Sequence, residues 1–117
     1  MRKELGQKGE GIAAYYLQKK GYKLLTKNWS CKVGELDLVM QDGSVRVIVE
    51  VRLRSPTLYG EGLDTVAWQK QKKLIRAAKY YQQKEQYWGD IRFDVVSITL
   101  TECGTAKIEH IDNAFTV

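Results

Sequence analysis

Three acidic residues between positions 34 and 54, Glu35, Asp37 and Glu50, have the spacing of side chains on one face of a β-hairpin. Apolar and polar residues alternate through much of this stretch, GELDLVMQDGSVRVIVEVRLR, with the period of two that is typical of strands. An Asp-Gly dipeptide lies between the two runs and favours a type I′ turn between antiparallel strands. The pattern therefore predicts a β-hairpin whose acids share one face.

The turn also predicts which residues of the hairpin are paired. With the Asp-Gly dipeptide at the centre of the turn, Asp37 lies opposite Ile48. Glu35 then lies opposite Glu50. Opposed β-carbons are about 5 Å apart and diagonal ones about 7 to 8 Å apart, so Asp37 and Glu50 could hold one cation between them.

Carboxylates this close together repel each other unless a positive charge compensates them. A divalent metal is one form of compensation, and Asp37 and Glu50 are its predicted ligands. The other is a solvated sheet face on which the acids pair with neighbouring arginines, namely Arg46, Arg52 and Arg54. The hairpin alone favours the arginine-paired face.

The length, composition and charge of the chain limit the classes of protein to which it could belong. Its 117 residues predict a single domain, 1–117, with its own core. It has no apolar run long enough to span a membrane and no signal-peptide pattern, so we expect a cytoplasmic protein without a membrane partner. One histidine and two cysteines without zinc-ligand spacing argue against zinc sites and histidine-based triads. A formal charge of +5 makes nucleic acid the first candidate partner.

Helical periodicity over residues 4–20 predicts a first helix, and Gly21 follows it as a stop signal. Glu10 lies at the margin of the apolar stripe of this helix. It is either a solvated helix glutamate, which spacing alone favours, or an acid that leans over the acidic face of the hairpin.

A second helix is predicted from Asp64 or Thr65 to about Gln86. Its polar face carries Lys72, Arg76 and Lys79, and Lys70 and Lys73 widen the positive surface. Such a face is either simply solvated or, because aromatic residues lie nearby in sequence, suited to phosphate contact and base stacking. The aromatic residues are Tyr80, Tyr87 and Trp88.

Three further strand-like runs complete the predicted fold: residues 22–33 with an irregularity at Asn28, residues 91–100, and a shorter run over residues 106–111. Arg92 and Asp94 fall on the same side of their strand and are interpreted as a structural ion pair. The order of elements predicts an α/β domain, with a mixed five-stranded sheet and helices packed on it.

The residues also resemble a known family. Asp37, followed by Ile48-Val49-Glu50-Val51-Arg52, resembles the D…(D/E)-x-K pattern of restriction-endonuclease-like nucleases, and Glu10 resembles the acid on their first helix. More closely, the chain is similar to the YraN family, predicted endonucleases related to Holliday-junction resolvases. The similar segments are GQKGEGIAAYYL at 6–17, Gly21-Tyr22, Asn28, GELDLV at 34–39, VEVRLR at 49–54, Lys70 with Lys73-Leu74, Ala77-Ala78 and RFDVV at 92–96.

The resemblance implies a restriction-endonuclease-like fold and phosphodiester hydrolysis at Glu10, Asp37 and Glu50. It implies Mg²⁺ or Mn²⁺ as the cofactor, which would hold the phosphate and activate water. DNA of branched or otherwise structured form is the implied substrate. Lys70 and Lys73 would then flank the phosphate, and the helix face with Lys72, Arg76 and Lys79 would bind the backbone. A homodimer is expected only by analogy with resolvases.

The chain departs from the nuclease pattern at Arg52, where the pattern has lysine. Arginine stays protonated, so Arg52 cannot accept a proton from water, although it can stabilise transition-state charge. The general base would then be metal-bound hydroxide, Glu50, or a lysine of the second helix such as Lys70 or Lys73. The alternative to a nuclease is a non-catalytic module that binds nucleic acid or a partner protein.

Overall fold

The computed structural model describes residues 2–54, 68–101 and 103–116, with side chains described from residue 7 onward. Five strands form one sheet in the order β1-β2-β3-β4-β5, in which β3 and β4 are parallel and the other neighbours antiparallel. The predicted α/β fold with a mixed five-stranded sheet is confirmed. The elements are α1 (Arg2–Lys19), β1 (Lys23–Cys31), β2 (Gly34–Asp42), β3 (Val45–Arg54), α2 (Trp68–Glu85), β4 (Ile91–Leu100) and β5 (Ala106–Phe115).

The central strands are buried on both faces because one helix covers each face. Ala13 and Leu17 of α1 pack with one set of strand residues, whereas Leu74 and Tyr81 of α2 pack with the alternate set. This explains the nearly continuous apolar runs in β3 and β4, which are typical of strands covered on both sides. Neither of the two described helices has the length and apolar character needed to cross a membrane.

The turn between β2 and β3 differs from the predicted turn. Asp42 pairs with Val45, so the two loop residues are Gly43 and Ser44, and the predicted pairs of Asp37 with Ile48 and of Glu35 with Glu50 are wrong. Gly43 has a φ of 61°, whereas Ser44 is not left-handed, which fits a type II′ turn rather than type I′. The register is therefore shifted by two residues. An even shift preserves which face each side chain occupies.

Most element bounds agree with the predictions to within a few residues. Asn28 has a φ of 53°, which confirms the irregularity predicted in β1. The last strand is longer than predicted because the chain continues past the left-handed Asn113, and Phe115 stacks on Phe93 with ring centroids 4.8 Å apart. The predicted N-terminal caps of the second helix, Asp64 and Thr65, lie outside the described residues.

A buried polar network below the C-terminal end of α1 contains the predicted ion pair of Arg92 and Asp94, which is confirmed. Asp94 Oδ1 and Oδ2 accept hydrogen bonds from Arg92 Nε and Nη2 at 2.9 and 3.0 Å. His110 Nδ1 lies 3.0 Å from Lys20 Nζ, which can only donate, so the ring hydrogen is on Nε2 and is donated to Asp94 Oδ2 at 2.8 Å. The network thus joins β4 and β5 to the end of α1.

Candidate metal and nucleic-acid site

The acidic residues meet where β2 and β3 separate. The last paired residues at this end of the hairpin are Leu38 and Val49. Beyond them β2 continues beside β1, and β3 continues beside β4. Asp37 and Glu50 are the first residues past the last pair, so their side chains meet at the mouth of this fork.

Asp37 is held by one hydrogen bond and crowded by negative charge. Its Oδ2 accepts a hydrogen bond from the backbone N–H of Val51 at 2.9 Å. Burial first, and then the charge of Glu50, raise the pKa of the Asp37 carboxyl to about 7, and Glu10 adds to the effect. Asp37 and Glu50 are themselves hydrogen bonded to each other. A proton between them relieves their repulsion, which a cation could also do.

Glu10 reaches this cluster from α1, so the second of its two interpretations is the one that the structure supports. One carboxylate oxygen from each of Glu10, Glu35 and Asp37 lies within 4.8 Å of the others. Burial is the main cause that raises the pKa of Glu10, the Asn28 side chain lowers it through a hydrogen bond, and the charge of Glu35 raises it. Glu10 is therefore an oriented member of the acidic cluster.

Among the cations predicted beside the acids, Lys70 contacts one of the acids directly. Lys70 Nζ of α2 forms an ion pair with Glu50 Oε2; Glu50 is only 5% exposed and Lys70 is 52% exposed. Lys70 approaches from the helix, whereas Arg52 lies two residues after Glu50 on β3 and is partly buried. A lysine thus lies at Glu50, and it comes from α2, whereas the nuclease pattern places its lysine on the strand of the acid.

The arginine-paired sheet face is wrong in two respects. Glu50 is buried rather than solvated, and Arg46 contacts other residues than the acids. Arg46 Nε donates to Gln41 Oε1 at 3.1 Å, and Nη1 donates to the Tyr81 hydroxyl at 3.2 Å. The reason is the position of Arg46 at the turn end of β3, far along the strand from Glu50.

The cations predicted on α2 are all solvent-exposed, because Leu74, Ala77, Ala78 and Tyr81 bury the opposite face of the helix. Lys72 Nζ lies 3.6 Å from the centre of the exposed Trp68 ring. Exposed cations are available for a polyanion but do not by themselves identify one. The exposed cations of α2 are Lys70, Lys72, Lys73, Arg76 and Lys79.

Three further groups at the site were not predicted as part of it: the Glu35 carboxylate, the Asn28 side chain and the Val51 amide. Glu35 was expected only on the shared face, yet its carboxylate belongs to the cluster and its Oε2 accepts a hydrogen bond from Ser30 Oγ at 3.3 Å. The position of an asparagine within a strand was a signal for Asn28, because asparagine tolerates a left-handed backbone better than most residues and so indicates an irregularity there. No pattern of side chains could indicate the Val51 amide.

The donor set of the cluster fits a hard divalent cation. All four acids, Glu10, Glu35, Asp37 and Glu50, offer carboxylate oxygens, which Mg²⁺ and Mn²⁺ prefer to the nitrogen and sulfur ligands typical of zinc. Burial, and then the charges of Glu50 and Glu10, raise the pKa of Asp37, and a bound cation would offset these effects by stabilising the charged carboxylate. Asp37 and Glu50 could hold the ion, with Glu10 or Glu35 completing its coordination directly or through water.

The pKa of Asp37 predicts how the stability of the metal-free protein depends on pH. Because this pKa is about 7 in the folded protein and 3.8 ordinarily, the folded protein binds the extra proton between these values. The free energy of unfolding therefore falls as the pH rises through this window. Asp37→Asn should abolish this loss and, in a chelator at pH 8, stabilise the protein by on the order of 2 kcal/mol.

Urea unfolding at pH 5 and pH 8 measures this effect, and Asp112→Asn, an exposed acid on β5, is the matched control. The Asp37→Asn advantage should shrink toward pH 5 and be absent from the control. If the free energy of unfolding depended on pH in the same way for wild type and Asp37→Asn, the raised pKa of Asp37 would be contradicted.

Comparison with known proteins identifies the family of the chain. The model of the family described as "Uncharacterised protein family UPF0102" matches residues 9–98, a range that includes Glu10, Asp37, Glu50 and Arg52. A UPF0102 protein of Stutzerimonas stutzeri is 47% identical over 113 residues, which cover 94% of this chain and 92% of the relative. One from Pelotomaculum thermopropionicum is 42% identical over 116 residues, covering 97% of each chain.

A third relative, the UPF0102 protein of Pseudomonas putida, is 45% identical over 112 residues, covering 94% of this chain and 91% of its own. Since the family model and these relatives span most of the chain, the protein belongs to the UPF0102 family, the YraN family indicated by its motifs.

Proposed function

We propose that this protein is a metal-dependent endonuclease that hydrolyses phosphodiester bonds in branched or otherwise structured DNA. The observation that carries the proposal is the fork between β2 and β3, where Asp37 and Glu50 lie side by side with Glu10 reaching in from α1. Asp37 and Glu50 are the proposed metal ligands. Mg²⁺ or Mn²⁺ would polarise a phosphoryl oxygen and lower the pKa of an attacking water.

The protein's own groups orient the acids and balance their charge. The Val51 amide fixes one oxygen of Asp37, and the Asn28 side chain fixes Glu10. Such fixed ligands need little reorganisation when the substrate arrives. Burial and neighbouring acids raise the pKa values of Asp37 and Glu10, and such shifts are common at catalytic sites.

Lys70 is the proposed phosphate-contacting cation. Its ammonium group is at the Glu50 carboxylate while half of the side chain remains exposed, so it can reach a phosphate at the mouth of the fork. Lys70 can therefore take the position beside the acid that the nuclease pattern gives to its own lysine. Arg52 would stabilise the charge that develops on the phosphate during hydrolysis.

The exposed face of α2 is the proposed surface for the DNA backbone. Lys73 follows Lys70 by one turn, and three more cations extend the positive surface along the helix: Lys72, Arg76 and Lys79. An acidic centre beside a basic surface suits a substrate that approaches as a polyanion and is cut at a metal.

A substrate panel tests the proposal. Single-stranded, duplex and four-way-junction DNA, with the corresponding RNA, should be incubated with Mg²⁺ or Mn²⁺ and with a chelator. We expect cleavage of at least one structured DNA that requires the metal. Calorimetric titration with Mn²⁺ should show a binding site, and the absence of both cleavage and metal binding would contradict the proposal.

A non-catalytic nucleic-acid-binding module in the same fold is the second candidate, favoured by Arg52 and by the ion pair of Lys70 with Glu50. For such a module we expect salt-sensitive binding of nucleic acid that weakens when Lys72, Arg76 and Lys79 are replaced by alanine. We expect no cleavage in the presence of any metal. Arg52→Lys separates the two candidates. Cleavage by the natural chain excludes the binding module, whereas cleavage that appears only with Arg52→Lys favours it.

A further inference from the structure

A cavity of about 290 Å³ lies away from the acidic fork, between β1, the turn end of β3 and the C-terminal half of α2. Its lining combines aromatic, cationic, anionic and hydroxyl groups: Leu25, Thr26, Trp29, Arg46, Tyr81 and Glu85. The size is at the lower end for ligand pockets, which suits one planar ring system better than an extended ligand. None of these residues belongs to the proposed metal site.

Arg46 is held in a fixed orientation within this cavity. Its Cζ atom lies 3.9 Å from the centre of the Tyr87 ring, and its Nε and Nη1 atoms donate to Gln41 and Tyr81. A guanidinium has five N–H groups, so these two bonds leave donors for a ligand. A stacked, doubly bonded guanidinium loses little conformational freedom when a ligand accepts from it.

The remaining lining complements a nucleobase. Trp29, which is only partly buried, provides aromatic surface for stacking, and the buried Tyr81 ring supports it edge to face, with ring centroids 5.3 Å apart. Glu85, exposed in the last turn of α2, supplies a carboxylate acceptor. Guanine offers acceptors at N7 and O6 to a guanidinium and donors at N1 and the 2-amino group to a carboxylate. The cavity therefore carries complementary groups for both edges of guanine.

We propose that this cavity binds an unpaired guanine base of the nucleic-acid substrate, with Arg46 at the acceptor edge and Glu85 at the donor edge. The base must be unstacked to enter, so the substrate has a single-stranded or distorted segment at the position of this base. The inference rests on the proposed function only in taking the ligand from nucleic acid, because base binding itself needs neither metal nor catalysis.

Fluorescence anisotropy in a chelator tests the pocket separately from cleavage. Short thymidine oligonucleotides with one central guanosine, adenosine or cytidine, or with none, should be titrated with the wild-type protein. The guanosine oligonucleotide should bind about tenfold more tightly than the all-thymidine one, in line with a specific base contact. Glu85→Gln, which leaves one donor edge without its charged acceptor, should reduce this preference to about twofold or less.

Arg46→Lys keeps the positive charge but loses the planar fork, so it should remove the guanine preference while changing binding of the all-thymidine oligonucleotide little. Asp112→Asn is the control and should keep the preference. Equal binding of all the oligonucleotides, no binding of any, a preference for another base, or a guanine preference that persists in both variants would each overturn the assignment. A guanine preference without cleavage of the substrate panel would contradict the proposed nuclease activity but would still support guanine binding in this cavity.

Discussion

Asp37→Asn should reduce metal-dependent DNA cleavage by on the order of a thousandfold, because it removes a proposed metal ligand from the centre of the site. Asparagine keeps the shape of aspartate and can still accept the hydrogen bond from the Val51 amide. It lacks the negative charge that would hold a divalent cation against water. The heat of Mn²⁺ binding should disappear in the same variant.

The stability of this variant allows a loss of cleavage to be attributed to the site. Since Asp37→Asn is expected to stabilise the metal-free protein at pH 8, lost cleavage cannot be assigned to lost folding. Asp112→Asn removes an equal charge from β5 and should cut like wild type. Cleavage that persists both in chelator and in Asp37→Asn would exclude the proposed mechanism, as would an equal loss in the Asp112→Asn control.

Asp94→Ala should lower the free energy of unfolding by about 3 to 5 kcal/mol, as expected when one partner of a buried ion pair is removed. Asp94 is fully buried and accepts four hydrogen bonds, from Arg92 Nε and Nη2, His110 Nε2 and the Asn113 amide. These bonds lower the pKa of Asp94 although burial alone would raise it. The difference from wild type should shrink as the pH falls through the lowered pKa and the carboxylate is protonated.

Asp42→Ala is the matched control for this prediction. Asp42 Oδ2 accepts a hydrogen bond from the same arginine, Arg92, at 3.2 Å, but its side chain is 43% exposed. An exposed pair contributes less than about 1 kcal/mol, so the control should be nearly neutral in urea unfolding. If the two substitutions cost the same, the stability would come from the Arg92 charge in general rather than from the buried network.

The Asp94 network also bears on the acidic site, through the first helix. Lys20, just past the end of α1, contacts His110, which in turn contacts Asp94. Glu10 lies on this helix, so the network connects β4 and β5 to the element that carries Glu10. The sequence indicated the Arg92–Asp94 pair because the two residues share one side of a strand. It gave no sign of His110, which comes from β5.

Much of the fold followed from local patterns. Alternation in the hairpin, helical periodicity at residues 4–20 and the apolar run 91–100 predicted the elements, because burial repeats with the period of each structure. The same alternation assigned Asp37 and Glu50 to one face, and that assignment survived the wrong turn since the register shifted by an even number of residues. The turn itself was misassigned because Asp-Gly and Gly-Ser both supply a glycine that tolerates a positive φ.

Long-range contacts were beyond the reach of the sequence pattern. Only the tertiary structure separates β2 from β3 beyond Leu38 and Val49, brings Glu10 within reach of Asp37, and pairs Lys70 with Glu50. The contacts of Glu10 and of Lys70 each join a helix to a strand that is distant along the chain, so their geometry depends on how the helices pack and not on local spacing. The sequence by itself therefore placed Asp37 and Glu50 on the same side of the hairpin. Packing decided that this face is the buried mouth of a fork with a lysine beside it.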